Sequence, residues 1–187
     1  MRFVIINYSR LPGIKRPVLL FTSGNSRFVM TKEIERKFCV QKMPDLTACT
    51  GVKISQGYIA VGENGTEVRL RRKGERFYQT VKVGKGVQRT EVEVELSRSQ
   101  FDNLWPLTEG RRVEKVRYEM VEGTWTIELD VYRGHLKGLV VAEVEFDTMA
   151  ESSRFVPPPW FGRDVTDDDR YKNAILADKG TPDDHAQ

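Results

Sequence analysis

Acidic and basic side chains recur at every second position along much of this sequence. The first such row is Glu33, Glu35 and Lys37, within TKEIERKFCV at residues 31–40. Later segments continue the pattern with Arg69, Arg71, Lys82, Arg89, Glu91, Glu93, Lys115, Arg117, Glu128, Asp130, Glu143 and Glu145. Carboxylate oxygens are the ligands that hard divalent cations prefer, and arginine and lysine pair well with phosphate oxygens. A metal-bound polyphosphate would satisfy both sets of side chains.

The spacing of these rows is that of a β-strand, in which alternate side chains face opposite sides. The intervening positions are apolar, for example Ile34, Leu70, Val144 and Phe146. For a single strand, the ordinary explanation is an apolar face on a core and a charged face in water. Taken together, the rows favour an inward-facing charged surface, because they hold acids and arginines where surface strands commonly use neutral polar residues.

Eight alternating segments are predicted to be strands, joined in part by hairpin turns such as Asn64-Gly65 and Gly84-Lys85-Gly86. The segments are residues 31–38, 53–60, 66–73, 76–83, 88–96, 113–121, 124–132 and 139–147. Eight antiparallel strands can close into a barrel, which sorts one set of side chains to the inside. The predicted fold is therefore α+β and mainly β: an eight-stranded antiparallel β-barrel with a few flanking helices.

Two helices are predicted beside these strands. Residues 97–100 have the sequence of a helix start, and Phe101 begins the apolar stripe that follows it. Thr166 would cap a second helix that runs to about Ala177. The first helix and the segment around Trp160 would cover the apolar outer wall of the barrel.

The 187 residues suit one domain, predicted over residues 30–178. Residues 1–29 are expected to be a non-native or disordered extension, since Met30 directly precedes the first patterned strand, and residues 179–187 a disordered tail. The formal charge of +3 arises in the extension, because the remainder carries 25 basic and 27 acidic residues. A nucleic-acid-binding domain would place its basic excess in the folded part, so no nucleic-acid partner is expected.

The composition also bears on membrane association and on the cellular compartment. No apolar run approaches the roughly 20 residues that span a bilayer, so no membrane association is expected. Cys39 and Cys49 lack the spacing of a zinc site or a disulfide framework, which fits a reducing cytoplasm. The sequence does not indicate an oligomeric state.

An ordered series of motifs resembles the CYTH superfamily, the triphosphate tunnel metalloenzymes, over about residues 31–176. The matching pieces are EIERKF (33–38), QGY (56–58), VRLRRK (68–73), TVK (80–82), RTEVEVEL (89–96), EKVRY (114–118), WTIELDVY (125–132), GLVVAEVEF (138–146) and DDRYKN (168–173). The last three pieces look most like the compact bacterial enzymes that hydrolyse inorganic triphosphate. The resemblance implies hydrolysis of triphosphate to pyrophosphate and phosphate inside a charged β-tunnel, with Mg²⁺ or Mn²⁺ as cofactor.

The resemblance also assigns roles to the charged rows. The metal ligands that it implies are Glu33, Glu35, Asp130, Glu143 and Glu145. The implied catalytic residues are Glu35, Lys37, Asp130 and Glu143. The implied phosphate-binding residues are Lys37, Arg69, Arg71, Lys82, Arg89, Lys115 and Arg117. Glu91 and Glu93 match an acidic row of the family, but they could equally be cross-strand partners of lysines.

Other activities are compatible with the same tunnel. It could hydrolyse a nucleotide or thiamine triphosphate, or cyclise ATP as the class IV adenylyl cyclases of the superfamily do, because the clamp contacts phosphates and only the rim contacts the rest. A non-catalytic polyphosphate-binding protein is the alternative from another class. The crowded acids disfavour it, since a pure anion binder gains nothing from a carboxylate cluster.

Overall fold

Antiparallel β-structure dominates this protein. The computed structural model describes residues 19–23, 26–31, 34–63, 65–83 and 90–184. The strands in these ranges are β1 (Leu19–Ser23), β2 (Ser26–Thr31), β3 (Ile34–Val40), β4 (Gly51–Val61), β5 (Glu67–Lys73), β6 (Arg76–Val83), β7 (Thr90–Leu96), β8 (Arg112–Glu122), β9 (Trp125–Tyr132), β10 (Val140–Phe146) and β11 (Phe161–Asp164). The helices are α1 (Arg98–Leu104), α2 (Met149–Arg154) and α3 (Asn173–Lys179). No helix in the described ranges is long and apolar enough to cross a membrane.

All eleven strands belong to one sheet, in the order β1-β2-β7-β6-β5-β4-β8-β9-β10-β3-β11. The predicted fold class is confirmed, and the eight predicted strands are β3 to β10. Strand number and closure differ from the prediction: β1, β2 and β11 extend the sheet, and in the described ranges β1 and β11 are its two edges. The extra strands escaped the sequence pattern because β1 and β2 lack charge alternation, and β11 has four residues and pairs with β3 through a register shift.

Both ends of the chain contribute to this sheet or pack on it. β1 and most of β2 lie in residues assigned by sequence to the N-terminal extension, and β2 pairs with β7. Near the C-terminus, Asp184 accepts hydrogen bonds from Arg163 and Arg170. Described structure therefore reaches into both terminal segments, while their assignment and the domain boundaries stay predictions.

The outer apolar face of the sheet is covered in two places, as the sequence predicted. Phe155, which follows α2, and Phe161 of β11 pack with Phe38 and Leu129, and the rings of Phe38 and Phe161 are 4.8 Å apart. Trp160 packs against the same cluster. Burial of such side chains contributes about 1.5–3 kcal/mol each. This layer fixes which face of β3, β9 and β10 points away from solvent.

Helix α1 covers the second apolar patch. Ser97 caps it in a capping box with Gln100, which confirms the predicted helix start. Phe101 packs against Leu70 and Phe77, and its ring lies 4.9 Å from that of Phe77. With the outside of β5 and β6 buried in this way, Arg69, Arg71 and Lys82 are left on the inner face.

The predicted C-terminal helix begins later than expected. Thr166 does not cap it but accepts a 3.0 Å hydrogen bond from the backbone N–H of Lys37. A 3₁₀ turn at Asp169–Tyr171 follows, capped by Asp168 through the backbone N–H of Arg170. α3 starts only after this turn. The aspartates therefore stabilise a turn on the rim of the sheet rather than the first turn of a long helix.

The edge strand β11 is joined to β3 through Asp164. Its carboxylate accepts bonds from Arg36 at 3.1 and 2.6 Å and from Thr166 at 3.0 and 2.5 Å. Partial burial alone would raise the pKa of Asp164, but the hydrogen bonds from Thr166 and Arg36 lower it. The folded state therefore favours the ionised carboxylate.

Asp164→Asn is expected to lower the free energy of unfolding by about 1 kcal/mol near neutral pH, a small effect because the ion pair is partly exposed. The folded-state pKa lies below the ordinary value of 3.8, so this contribution is complete above that value and disappears as the pH falls through the folded-state pKa. Urea unfolding of both proteins across the acidic range measures it. A difference in unfolding free energy between the two proteins that is the same at neutral and acidic pH would contradict the ionic role.

Candidate active site

The charged rows of several strands line one cavity of about 670 Å³. Its basic strand residues are Lys37, Arg69, Arg71, Lys82, Lys115 and Arg117. Its acidic strand residues are Glu35, Glu67, Glu128, Glu143 and Glu145. Because β3 and β6 are far apart in the strand order yet border the same cavity, the sheet curls around it. The structure therefore brings together most of the residues that sequence assigned to the site.

Cross-strand register keeps the inner rows in phase. Lys37 lies opposite Glu143, Glu143 opposite Glu128, and Arg117 opposite Asp130. Side chains directly opposite one another in an antiparallel pair are close enough to interact. The alternation seen in the sequence thus becomes a continuous network across β8, β9, β10 and β3.

Arg117 is the centre of this network. It donates to Asp130 at 2.7 and 2.6 Å, to Glu143 at 2.8 Å, and to Glu128. Burial alone would lower the pKa of Arg117, but Asp130, Glu128 and Glu143 raise it well above its ordinary value. One buried guanidinium therefore neutralises carboxylates from two strands.

The acids around Arg117 differ in how readily they take up a proton. Burial alone would raise the pKa of Glu143, but Lys37, Lys115 and Arg117 hold it well below its ordinary value. Burial raises the pKa of Glu128, and Arg117 only partly opposes this. Glu143 is therefore a fixed anion, and Glu128 is the better proton acceptor.

Asp130 lies behind the cavity wall rather than on it. Its side chain is fully buried, and both carboxylate oxygens accept hydrogen bonds, one from Arg117 alone and the other from Lys115 and Arg117. This geometry makes Asp130 the counter-anion that holds two phosphate-binding candidates in place. Its assignment as a catalytic residue and metal ligand stays a prediction.

A second group of ion pairs lies on β5, β6 and β7. Glu91 pairs with Arg69 at 3.2 Å and with Lys82 at 2.6 Å, and Glu93 pairs with Arg71 at 2.5 Å. Of the two interpretations that the sequence left open, these contacts favour cross-strand partners, although arginines take part as well as the expected lysine. The acids of β7 set the positions of the basic residues on β5 and β6.

Arg71 retains an unused hydrogen-bond donor. Its Nε is buried and has no hydrogen-bond partner within the described ranges. Burial and the neighbouring Arg69 lower the pKa of Arg71, and Glu93 opposes this shift. An anionic oxygen in the cavity would satisfy the donor, which is how an arginine commonly binds phosphate.

Two cavity carboxylates suit a divalent cation. Glu35 and Glu145 lie directly opposite each other and both line the cavity. Like charges in such a pair are destabilising, and a cation between them would remove the repulsion. Mg²⁺ is commonly held by one or two carboxylates together with waters and substrate phosphates. The donor set therefore fits a hard divalent cation, although no group of three candidate ligands occurs within the described residues.

Some predicted site residues cannot be placed, and others were missed. Glu33 and Arg89 lie outside the described residues. Gln56, Tyr58 and Glu67 line the cavity, and the Nε2 of Gln56 donates to the hydroxyl of Tyr58 at 2.5 Å. Charge patterning misses Gln56 and Tyr58 because both are neutral. Glu67 could have been found from the sequence, because it lies in the predicted strand at 66–73 and on the same face as Arg69 and Arg71.

The inner rows become apolar at one end of the cavity. The cluster there contains Tyr58, Val113, Tyr132, Leu136, Leu139, Val141, Val165, Tyr171, Ala174, Leu176 and Ala177. Lys37 donates from Nζ to the carbonyl of Tyr171 at 3.4 Å. The C-terminal segment thus packs over this end.

Glu128 and Glu145 also border a second cavity, of about 470 Å³, which lies beside α2.

A curled antiparallel sheet with ion-paired acids and bases on its inner face defines a charged cavity that suits a polyanion. The chain belongs to the CYTH domain family, whose model matches residues 31–171. CYTH triphosphatases are in general metal-dependent.

Two proteins named inorganic triphosphatase are similar to most of the chain. It is 46% identical over 147 residues to an inorganic triphosphatase of Nitrosomonas europaea, covering 78% of this chain and 96% of that protein. It is 37% identical over 149 residues to an inorganic triphosphatase of Acetivibrio thermocellus, covering 79% and 94%. The crystal structure of an inorganic triphosphatase superposes with a TM-score of 0.64 at 43% identity, covering 82% of this chain and 99% of that one.

Proposed function

We propose that this protein is a metal-dependent inorganic triphosphatase, which hydrolyses tripolyphosphate to pyrophosphate and phosphate inside the cavity. The observation that carries the proposal is the convergence of six basic side chains from four strands on one cavity that also holds the facing carboxylates Glu35 and Glu145. Similarity to two inorganic triphosphatases supports the same substrate.

The basic residues bind the substrate along its length. Arg69, Arg71 and Arg117 present planar forks that match phosphate oxygens, and Lys82 and Lys115 supply compact charges beside them. Their acidic partners hold these side chains in place before substrate arrives. Such preorganisation lowers the cost of gathering charge around a transferring phosphoryl group.

The acids divide into binding and proton-handling groups. Glu35 and Glu145, with Glu33, would hold Mg²⁺ or Mn²⁺, which supplies neutralisation of phosphate charge when bound. Glu128 orients the attacking water and accepts its proton, in keeping with its raised pKa. Burial alone would lower the pKa of Lys37, but Glu143 and Glu35 raise it, so Lys37 stays cationic and neutralises charge on the phosphates.

The proposed setting is the cytoplasm. Neither Cys39 nor Cys49 is joined in a disulfide within the described residues, in keeping with a reducing compartment. Inorganic triphosphate is then the substrate that binds in the cavity, and the reaction needs neither nucleic acid nor a membrane.

Phosphate release from inorganic triphosphate, measured beside ATP, thiamine triphosphate and pyrophosphate, tests this function. Release should be fastest with inorganic triphosphate, require Mg²⁺ or Mn²⁺, stop when EDTA is added and return when metal is restored. Conversion of ATP to a cyclic product as the dominant reaction would contradict the proposal. Tight metal-independent binding by calorimetry with no phosphate release would instead indicate a binding protein.

A further inference from the structure

Lys115 is the most deeply buried basic residue of the cavity, with 3% of its surface exposed. Its Nζ forms an ion pair with Asp130 and lies 5.4 Å from the centre of the Tyr132 ring. An ammonium within about 6 Å of an aromatic ring centre is attracted to the ring. Asp130 and Tyr132 together therefore determine where this flexible side chain directs its charge.

The ring of Tyr132 is itself held from the C-terminal segment. Its hydroxyl donates a 2.5 Å hydrogen bond to Oδ1 of Asn173, the first residue of α3. Tyr132 is 1% exposed and is not part of the cavity lining, whereas Asn173 borders the cavity. A chain of contacts thus runs from α3 through a buried ring to a cavity lysine on β8.

We propose that Asn173 and Tyr132 are positioning residues that act through Lys115, an inference that rests on the proposed triphosphatase function. A lysine has four flexible methylenes and a compact charge, so an ion pair on one side does not fix its direction. The ring supplies the second restraint, and the bond to Asn173 fixes the ring. The C-terminal segment that packs over one end of the cavity then also sets the geometry of Lys115, a phosphate-binding group.

The test is a mutant cycle on the hydrolysis of inorganic triphosphate. Tyr132→Phe and Asn173→Ala each remove one half of the bond while keeping the ring. Each should lower kcat/KM by about ten-fold, the scale of a small misplacement of a substrate-contacting group. The double variant should lose about the same ten-fold, because both changes break one contact. In a Lys115→Ala background, Tyr132→Phe should have no further effect.

A further variant separates positioning from a general packing defect. Tyr118 is on β8, the strand that carries Lys115, but packs against the outer apolar cluster. Tyr118→Phe also removes a tyrosine hydroxyl and should behave like wild type. Thermal unfolding of each variant checks that it folds.

Two results would overturn the proposal. One is a double variant whose loss equals the product of the two single losses, and the other is an undiminished effect of Tyr132→Phe in the Lys115→Ala background. Wild-type protein that releases no phosphate would refute the triphosphatase function itself, so the two failures are distinguishable.

Discussion

Glu35→Ala and Arg71→Ala should each lower kcat by about 100- to 1000-fold while the protein remains folded, because each removes charge stabilisation in the cavity. Arg71 is only partly buried, and its unsatisfied Nε is available to a phosphate oxygen. Glu35 faces Glu145, so its removal relieves a repulsion in the metal-free protein. Neither change is expected to cost more than about 1 kcal/mol of folding free energy.

Steady-state phosphate release and thermal unfolding, with and without Mg²⁺, measure these effects. Wild-type protein should gain thermal stability from Mg²⁺ by mass action, and Glu35→Ala should gain less. Arg76→Ala is the matched control, since Arg76 of β6 forms an exposed ion pair with Glu95 of β7 and does not line the cavity. Near-normal turnover in both cavity variants would refute the assignment of the site.

Arg117→Met should destabilise the fold by about 3–5 kcal/mol, since removing one partner of a buried ionic network leaves the others uncompensated. Asp130, Glu128 and Glu143 would each lose their shared guanidinium. Triphosphate hydrolysis should also fall sharply, because the clamp loses its central cation. Chemical denaturation measures the stability change.

The pH dependence of this variant provides a second check. Glu143 has a folded-state pKa well below 4.5, so its ionic contribution is present above that value and disappears as the pH falls through the folded-state pKa. The stability difference between wild type and Arg117→Met should therefore shrink in acid. Arg72→Met, which removes a more exposed ion pair with Glu75, should change stability by about 1 kcal/mol or less. A comparable loss in both variants would contradict the buried-network account.

Much of the site follows from the two-residue period of the sequence. Once Phe38, Leu70 and Phe146 are assigned to the outer core, strand geometry forces Lys37, Arg71 and Glu145 to the opposite face. Antiparallel register then aligns those faces into one wall. Eight strands and most of the charged strand residues that line the cavity could be predicted for this reason.

The remainder depends on tertiary contacts that no local pattern contains. Asp130 has the spacing of a cavity acid, yet the cations on β8 occupy its carboxylate and remove it from the surface. Gln56 and Tyr58 reach the cavity as neutral residues, which charge rows cannot reveal. The bond between Tyr132 and Asn173 joins residues 41 positions apart, so it depends on how α3 packs.

A crystal structure of the protein with Mn²⁺ and a slowly hydrolysed triphosphate analogue tests the central claim most directly. The anomalous signal of Mn²⁺ should lie between Glu35 and Glu145, with phosphate oxygens bound by Arg71, Lys115 and Arg117. Manganese and analogue found only on the outer surface of the sheet, with the inner ion pairs unchanged, would contradict the account.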